Sequence, residues 1–291
     1  MAVTHFIPSF WSKKILDDLE TKVKLANYTN RDYEGDIKYA GRVKVLGVGE
    51  PTISDYSSST PLVYESLSDK GQWLTITEQK SFSFEVDDID EVQSIPGLPG
   101  KFQSKAAHKL AIARDNFVAG LMKHASELSK NTVDATDGTI TEYKVEKTDA
   151  ATGSGADIKS AIDNAIIAMR ERDFDGAGRI EVSPAVYVVL KNVLTDLSTN
   201  NPEYIKTGKV GNYDGFEVIE TNTLATDSTY VYCDIRSKDA IAFVGQLQKV
   251  EALRDKDNFK DYVRGLDVYG GKVISPAEIQ VIRVPKATLS A

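Results

Sequence analysis

The longest regular pattern in the chain is a run of apolar residues spaced three and four apart, which predicts one helix from Ser104 to Ser129. The apolar members of this pattern are Ala107, Leu110, Phe117, Leu121, Met122, Ala125 and Leu128. Proline and glycine are concentrated just before it, at 95–100, and separate it from the preceding segment. At about 1.5 Å per residue the helix would be roughly 38 Å long, which is typical of a structural axis.

The region before this helix shows the two-residue alternation of β-strands and no helical pattern. Phe82 and Phe84, for example, alternate with serines. The run at 68–71, Ser-Asp-Lys-Gly, predicts a tight turn between strands at 62–64 and 73–77. The region is therefore either an antiparallel sheet on one face of a domain or an arm that projects away from it.

The second half of the chain mixes helical and strand patterns and predicts a compact α/β-like unit that begins near Ser154. A helical stripe follows Ser154, and Ser183 and Pro184 predict the start of a second helix. Short strands are predicted at 143–145, 179–182, 216–220, 229–234 and 240–244. Alternation resumes near the end, with a break predicted at Gly270 and Gly271. Together with the first half, these patterns predict the α+β fold class.

The first residues form an apolar and aromatic leader that includes Phe6, Phe10 and Trp11, and a short amphipathic helix is predicted behind it at 13–28. Proteins rarely leave so much contiguous apolar surface exposed. The leader is therefore expected either to fold back onto its own core or to lie on another chain.

The net charge of −8 is unevenly distributed along the chain. Residues 1–100 carry 10 Lys and Arg against 16 Asp and Glu, and five acids fall within 85–91. Residues 101–130 reverse the sign, with six bases against two acids. Such neighbouring segments indicate ion pairing, within one subunit or between subunits, or else two solvated faces of opposite sign. The overall acidity argues against a dedicated nucleic-acid-binding protein, since affinity for phosphates comes largely from clustered Lys and Arg.

The residue types that carry chemistry are scattered, so no catalytic, cofactor-binding or metal site is predicted. His5, His108, His124 and Cys233 are too far apart in sequence to suggest a shared metal ion. The chain contains neither a Gly-x-Ser-x-Gly motif nor a complete dinucleotide fingerprint. A single cysteine, no stretch of about 18 apolar residues and no signal-peptide pattern at the start lead us to expect a protein made in a reducing cytoplasm and not inserted in a membrane.

Three segments of the last third carry a resemblance to a known family: Gly211 to Val218, Asp239 to Gln246, and Phe259 to Gly270. In these residues, and in the order of its elements, the chain resembles the major capsid proteins of tailed bacteriophages. The resemblance implies the tailed-phage capsid-protein fold, divided into an N-terminal arm (1–35), an extended β-hairpin loop (36–95), a peripheral domain with a spine helix (96–152), an axial domain (153–228) and closing strands of the peripheral domain (229–291).

The function implied by the resemblance is that of a structural subunit, without enzymatic activity, that assembles as hexamers and pentamers into an icosahedral head shell around double-stranded DNA. The expected partners are further copies of the chain, a portal and, because only some 35 residues precede the hairpin loop, a separate scaffolding protein. DNA would be enclosed without sequence-specific binding, and the expected location is the virion, after synthesis in the host cytoplasm. The alternatives are the shell of a bacterial encapsulin nanocompartment and, in a different class, a cytosolic α+β enzyme with an unrecognised site.

A shell subunit would carry its function on surfaces, and the hypothesised contact residues fall in three groups. These are the aromatic leader, the 68–71 run, and the acidic run with the basic face of the spine helix. The residues are Phe6, Phe10, Trp11, Asp69, Lys70, Gly71, Glu85, Asp87, Asp88, Lys105, Lys109 and Arg114.

Overall fold

The computed structural model describes residues 18–19, 22–34, 41–48, 53, 69–87, 98–129, 132–133, 139–196, 211–255 and 260–289. The principal helices of these residues are α1 (Leu98–Glu127), α2 (Gly155–Arg170) and α3 (Pro184–Asp196). Their strands are β1 (Arg42–Val48), β2 (Asp69–Thr75), β3 (Glu78–Asp87), β4 (Thr132–Val133), β5 (Ile140–Glu142), β6 (Glu146–Asp149), β7 (Arg179–Val182), β8 (Asn212–Tyr213), β9 (Phe216–Glu220), β10 (Tyr230–Arg236), β11 (Ile241–Arg254), β12 (Lys260–Val273) and β13 (Ile279–Pro285).

The long helix α1, which we call the spine helix, has 30 residues and spans about 45 Å. It begins six residues earlier than the prediction, because Pro99 and Gly100 lie inside its first turn. Proline is tolerated there, since the N–H groups of the first turn have no partner within the helix. The side of α1 that faces the core is formed by Ala107, Leu110, Ala111, Arg114, Val118, Met122 and Ala125.

One side of α1 packs against an antiparallel three-stranded sheet, which we call the peripheral sheet, with the order β11-β12-β3. Phe117 of α1 makes edge-on aromatic contacts with Phe243 of β11 and Tyr269 of β12, at centroid distances of 6.4 and 5.3 Å. The predicted break at Gly270 and Gly271 is wrong, because both lie inside β12. A Cβ on Gly270 would lie 2.3 Å from the carbonyl oxygen of Thr75. The glycine therefore lets the β2–β3 connection cross the sheet closely.

A six-stranded mixed sheet, which we call the axial sheet, has the order β6-β13-β10-β7-β9-β8 and packs against α2. Ser154 caps α2 by accepting a hydrogen bond from the Asp157 amide. The predicted apolar stripe of α2 is confirmed, since all of its members are buried: Ile158, Ala161, Ile162, Ala165, Ile166 and Met169. Strands β10 and β13 belong to this sheet while β11 and β12 belong to the peripheral sheet, so the boundary predicted at residue 229 does not separate the two.

Strands β1 and β2 form an antiparallel hairpin whose register runs from Arg42 opposite Thr75 to Val48 opposite Asp69. The turn predicted at 68–71 is therefore wrong. Asp69, Lys70 and Gly71 lie in β2, where they stand opposite Val48, Gly47 and Leu46 of β1. Pairing with β1 overrides the turn propensity of these three residues.

Two shorter predictions also differ from the structure. The strand predicted at 143–145 is instead the connection between β5 and β6, in which Val145 donates its amide to the carbonyl of Ala125 at 2.9 Å. The helix predicted at 13–28 does not extend to its expected end, because turns and bends replace it from residue 24.

Candidate assembly surfaces

Several hypothesised contact residues can be placed only in part. Phe6, Phe10, Trp11 and Asp88 lie outside the described residues. For Asp69 and Lys70 in β2, and for Asp87 in β3, the structure describes the backbone. Gly71 is buried in β2, while Glu85, Lys105 and Lys109 are exposed.

Arg114 is not on a surface, although its charge suggested one. Its guanidinium donates to both carboxylate oxygens of Asp267 in β12, with Nη2–Oδ1 at 2.6 Å and Nε–Oδ2 at 2.9 Å. The two side chains are 4% and 0% exposed. Arg114 therefore joins the spine helix to the peripheral sheet inside the subunit and is not available to a neighbour.

Glu85, at the start of the acidic run, pairs with a strand instead of with the spine helix. Its carboxylate lies 3.3 Å from the ammonium of Lys260 in β12, which is diagonal to it because the residue opposite Glu85 is Tyr262. Lys105 and Lys109 project from the exposed side of α1. Within one subunit, Glu85 and Arg114 therefore each pair with a residue of β12 and not with each other.

The outer end of the peripheral sheet, which includes the ends of β11 and β12 on either side of 256–259, is covered by exposed ion pairs. Arg264 contacts Glu251 at 2.5 Å, and Arg254 contacts Asp261 at 3.1 Å. Leu253 and Tyr262 are exposed between them at 44% and 36%. Protein contacts typically have a polar, solvent-accessible rim around an apolar centre, and this surface offers both kinds of side chain.

A groove of about 340 Å³ crosses the same sheet. Its wall includes Ser81 and Ser83 of β3, the Glu251–Arg264 pair, Gly265 and Leu266. A Cβ on Gly265 would lie 2.3 Å from the ring of Phe82, so the missing side chain makes room for that ring. Phe82 lies 6.3 Å from Phe84, whose ring is 6.0 Å from Phe102 of α1.

A second cavity, of about 280 Å³, lies between the hairpin and the end of the spine helix. Its wall includes Trp73, Leu121, His124, Tyr143 and Lys272. The ammonium of Lys272 donates to the carbonyls of Trp73 at 3.3 Å and Ile140 at 3.2 Å, and burial lowers the pKa of Lys272. Lys272 thus ties the hairpin to β5.

The comparison with protein families decides which of the alternatives holds. The model of a family described as phage capsid protein matches residues 65–282, which are 218 of the 291 residues. The chain belongs to the phage capsid protein family. No curated protein sequence matches the chain.

Solved structures agree with membership of the phage capsid protein family. A structure from Mycobacterium phage Che8 is 27% identical, with a TM-score of 0.68 over 89% of this chain and 90% of that chain. The capsid of cyanophage P-SCSP1u is 17% identical, with a TM-score of 0.66 over 92% and 87%. The mature capsid of bacteriophage PhiM1 is 16% identical, with a TM-score of 0.63 over 85% and 83%. At 17% and 16% identity, the structures from P-SCSP1u and PhiM1 show a shared fold.

The predicted family and α+β capsid fold are therefore confirmed, and this phage capsid protein is a structural subunit of a virion shell built from copies of itself. Neither the nanocompartment nor the enzyme alternative is favoured. Among the helices of the described residues, none is both long and apolar enough to cross a bilayer. Within the same residues, no group of three His, Cys, Asp or Glu side chains is arranged to hold a metal.

The ion pairs at the outer end of the peripheral sheet were missed in the sequence. Their signal was present, because Glu251, Arg254, Asp261 and Arg264 are symmetrically spaced about 256–259, as cross-strand partners of a hairpin are. The burial of Arg114 also had a local signal, because Arg114 lies four residues from both Leu110 and Val118 in the apolar stripe of the spine helix.

Proposed function

We propose that this capsid protein forms hexamers and pentamers of an icosahedral head shell around double-stranded DNA, and that it contacts its neighbours through the N-terminal arm, the hairpin and the acidic run. The family match carries this proposal, because it extends from the segment before β2 to β13 and so includes both sheets. Its role is carried by repeated surface contacts instead of a catalytic centre. Many weak contacts, summed over a closed shell, give a stable particle.

The attachment of the hairpin supports its role as a contact arm. Val45 and Leu74 form a small separate apolar cluster with Ala242 and Val244 of β11. The guanidinium of Arg42 lies 4.5 Å from the ring centre of Trp73, close to this attachment. The opposite end of the hairpin, which carries Asp69 and Lys70, is the part proposed to contact a neighbouring subunit. The aromatic leader would bind a neighbour in the same way.

The acidic run is proposed to meet the basic face of the spine helix across subunits. This assignment now concerns Asp87 and Asp88 on one subunit and Lys105 and Lys109 on the next, since Arg114 is buried. Reversing Asp87 and Asp88 to lysine should lower particle yield, measured by sucrose gradient and negative-stain microscopy, while the isolated subunit stays folded. Adding K105E and K109E should restore yield.

The matched control reverses two exposed acids in the connection between α2 and β7, Glu171 and Asp175. Unchanged yield in the Asp87 and Asp88 reversal, or equal loss in the control, would remove this contact from the proposal.

The proposed contents and helpers of the shell follow from its charge and from the family. A net charge of −8 suits a container that must not bind its DNA tightly. We expect the isolated subunit to show no salt-dependent DNA binding. A portal and a separate scaffolding protein are further proposed partners, and co-expression with the candidate scaffolding gene should make particle size uniform. Synthesis would take place in the host cytoplasm.

Electron microscopy of the purified protein is the direct test of the proposed function. Closed shells that protect encapsulated DNA from nuclease are expected. A small oligomer of fixed mass at all concentrations, with and without scaffolding protein, would contradict it.

A further inference from the structure

The root of the N-terminal arm, residues 22–30, is held by a buried carboxylate of the spine helix. Asp115 accepts the amide of Lys24 on Oδ2 and the amides of Leu25 and Ala26 on Oδ1, all at 3.0 Å. The residue is 3% exposed. Three consecutive backbone N–H groups that converge on one carboxylate fix the path of the chain, because charge-assisted hydrogen bonds are strong and directional.

The same segment is held from the other side by the axial sheet. Arg236 of β10 donates from Nη2 to the carbonyl of Leu25 at 2.9 Å and from Nη1 to the carbonyl of Tyr28. Its guanidinium is fixed by Glu181 of β7, with Nη2–Oε1 at 2.8 Å and Nε–Oε2 at 3.1 Å. The Arg236 side chain has 0% exposure. The spine helix thus binds backbone N–H groups of the arm root, and the axial sheet binds its backbone carbonyl groups.

Both ends of the arm root are also fastened. The ammonium of Lys22 donates to the carbonyl of Ser104 at 2.8 Å and to its hydroxyl at 2.5 Å, near the start of the spine helix. Asn30 forms a bridge with β11, donating to Ile241 O at 2.8 Å and accepting from Phe243 N at 2.9 Å. The arm root therefore touches the spine helix, the axial sheet and the peripheral sheet in turn.

We propose that the arm root is a clamp, with Asp115 and Arg236 as positioning residues, which fixes where the N-terminal arm leaves the subunit and couples the arm to the relative position of the spine helix and the axial sheet. Apolar residues would have filled the same space without the penalty of burying charge. Directional bonds to five backbone groups serve to define position instead. This inference rests on the proposed contact between the arm and a neighbouring subunit.

The test is Asp115→Asn in the full chain, which keeps the size of the side chain but turns one acceptor oxygen into a donor facing a backbone N–H. Hydrogen exchange of the soluble subunit should rise at least tenfold at the amides of 24–26, with α2 unchanged. Particles should become fewer and more variable in diameter. The matched control is Asp163→Asn on α2, whose carboxylate bonds Lys159 and Tyr213 and does not touch the arm root.

Each result decides the proposal. Unchanged exchange at 24–26 overturns the clamp, and raised exchange with normal particles overturns its positioning role. If the wild-type chain forms no shells, the proposed function fails, yet the exchange result still decides the clamp. If Asp115→Asn does not fold, Lys22→Met, which changes a half-buried side chain, is expected to raise exchange at 22–25 and to broaden particle diameters. Normal exchange and normal particles in Lys22→Met would then overturn the proposal.

Discussion

Ion pairs occur in two contrasting regions of the subunit: around the arm root, where they are buried, and at the outer end of the peripheral sheet, where they are exposed. Arg236 and Glu181 are 0% and 1% exposed, whereas Arg264 and Glu251 are 60% and 24% exposed. The distances are similar, at 2.8 and 2.5 Å. Exposure to solvent therefore determines how much each ion pair matters for the stability of the subunit.

In the buried region, loss of one partner leaves the other charge away from water, so removing a single partner destabilises the fold. In the exposed region, water and salt replace a lost partner at little cost. Exposed pairs are thus free to exchange partners with a neighbouring subunit. The contrast separates residues that hold the subunit together from residues that can serve assembly.

The largest effect is expected from Arg236→Met. The change leaves Glu181 buried without its cation and removes the guanidinium donor from the carbonyls of Leu25 and Tyr28. The free energy of unfolding, measured with urea on the soluble subunit, should fall by about 3–5 kcal/mol. The same change at the exposed Arg264 is the control. A loss at Arg236 no larger than that at Arg264 would break the contrast between the two regions.

The next largest effect is expected where Arg114 meets Asp267. Arg114→Met should lower the free energy of unfolding by about 3 kcal/mol, because it leaves a fully buried carboxylate unpaired. The double variant R114M/D267L removes both charges and should recover most of that loss. Additive losses in the double variant would show that the pair does not act as a unit.

Arg114 also shows how much of the buried ion pairing could be predicted from the sequence. It follows Leu110 by four residues and precedes Val118 by four, so it lies in the apolar stripe of the spine helix. That position indicates burial, whereas its charge alone suggested a surface. Its partner Asp267 lies 153 residues away, and no local pattern connects the two.

Local patterns were predicted well and long-range pairings were not. The strand at 179–182, the helix start at Pro184 and the buried stripe of α2 are confirmed, because each depends on a few adjacent residues. The pairing of β3 with β12 and the placing of β10 and β13 in the axial sheet depend on the whole topology. The assignment of Lys105, Lys109 and the acidic run to a subunit contact stays a prediction.

Asp234 allows a smaller test, based on pH. Burial and the neighbouring Glu181 raise the pKa of Asp234 well above its ordinary value of 3.8, against the opposing attraction of Arg236, whose Nε lies 3.3 Å from Oδ2. The folded state then retains a proton that the unfolded state releases. Stability should fall as pH rises from about 4 towards the raised pKa.

Asp234→Asn should remove this dependence. The variant is expected to match the wild type near pH 4 and to be more stable than the wild type at pH 8, since one buried charge is gone. Urea unfolding at pH 5, 6.5 and 8 measures the difference. Parallel stability curves for the two proteins would show that Asp234 is already charged in the fold.

The smallest effect on folding is expected at the outer end of the peripheral sheet. Glu251→Gln with Arg264→Gln should change the free energy of unfolding by less than about 1 kcal/mol, because both groups regain water. If this surface serves assembly, particle yield should nevertheless fall, and more so at low salt, where charge contacts between wild-type subunits are least screened. Normal yield at every salt concentration would leave these pairs without a role in either the fold or the shell. Loss of stability on the scale of the Arg236 variant would instead mean that exposure does not separate the two regions, and that the outer end belongs to the folding core.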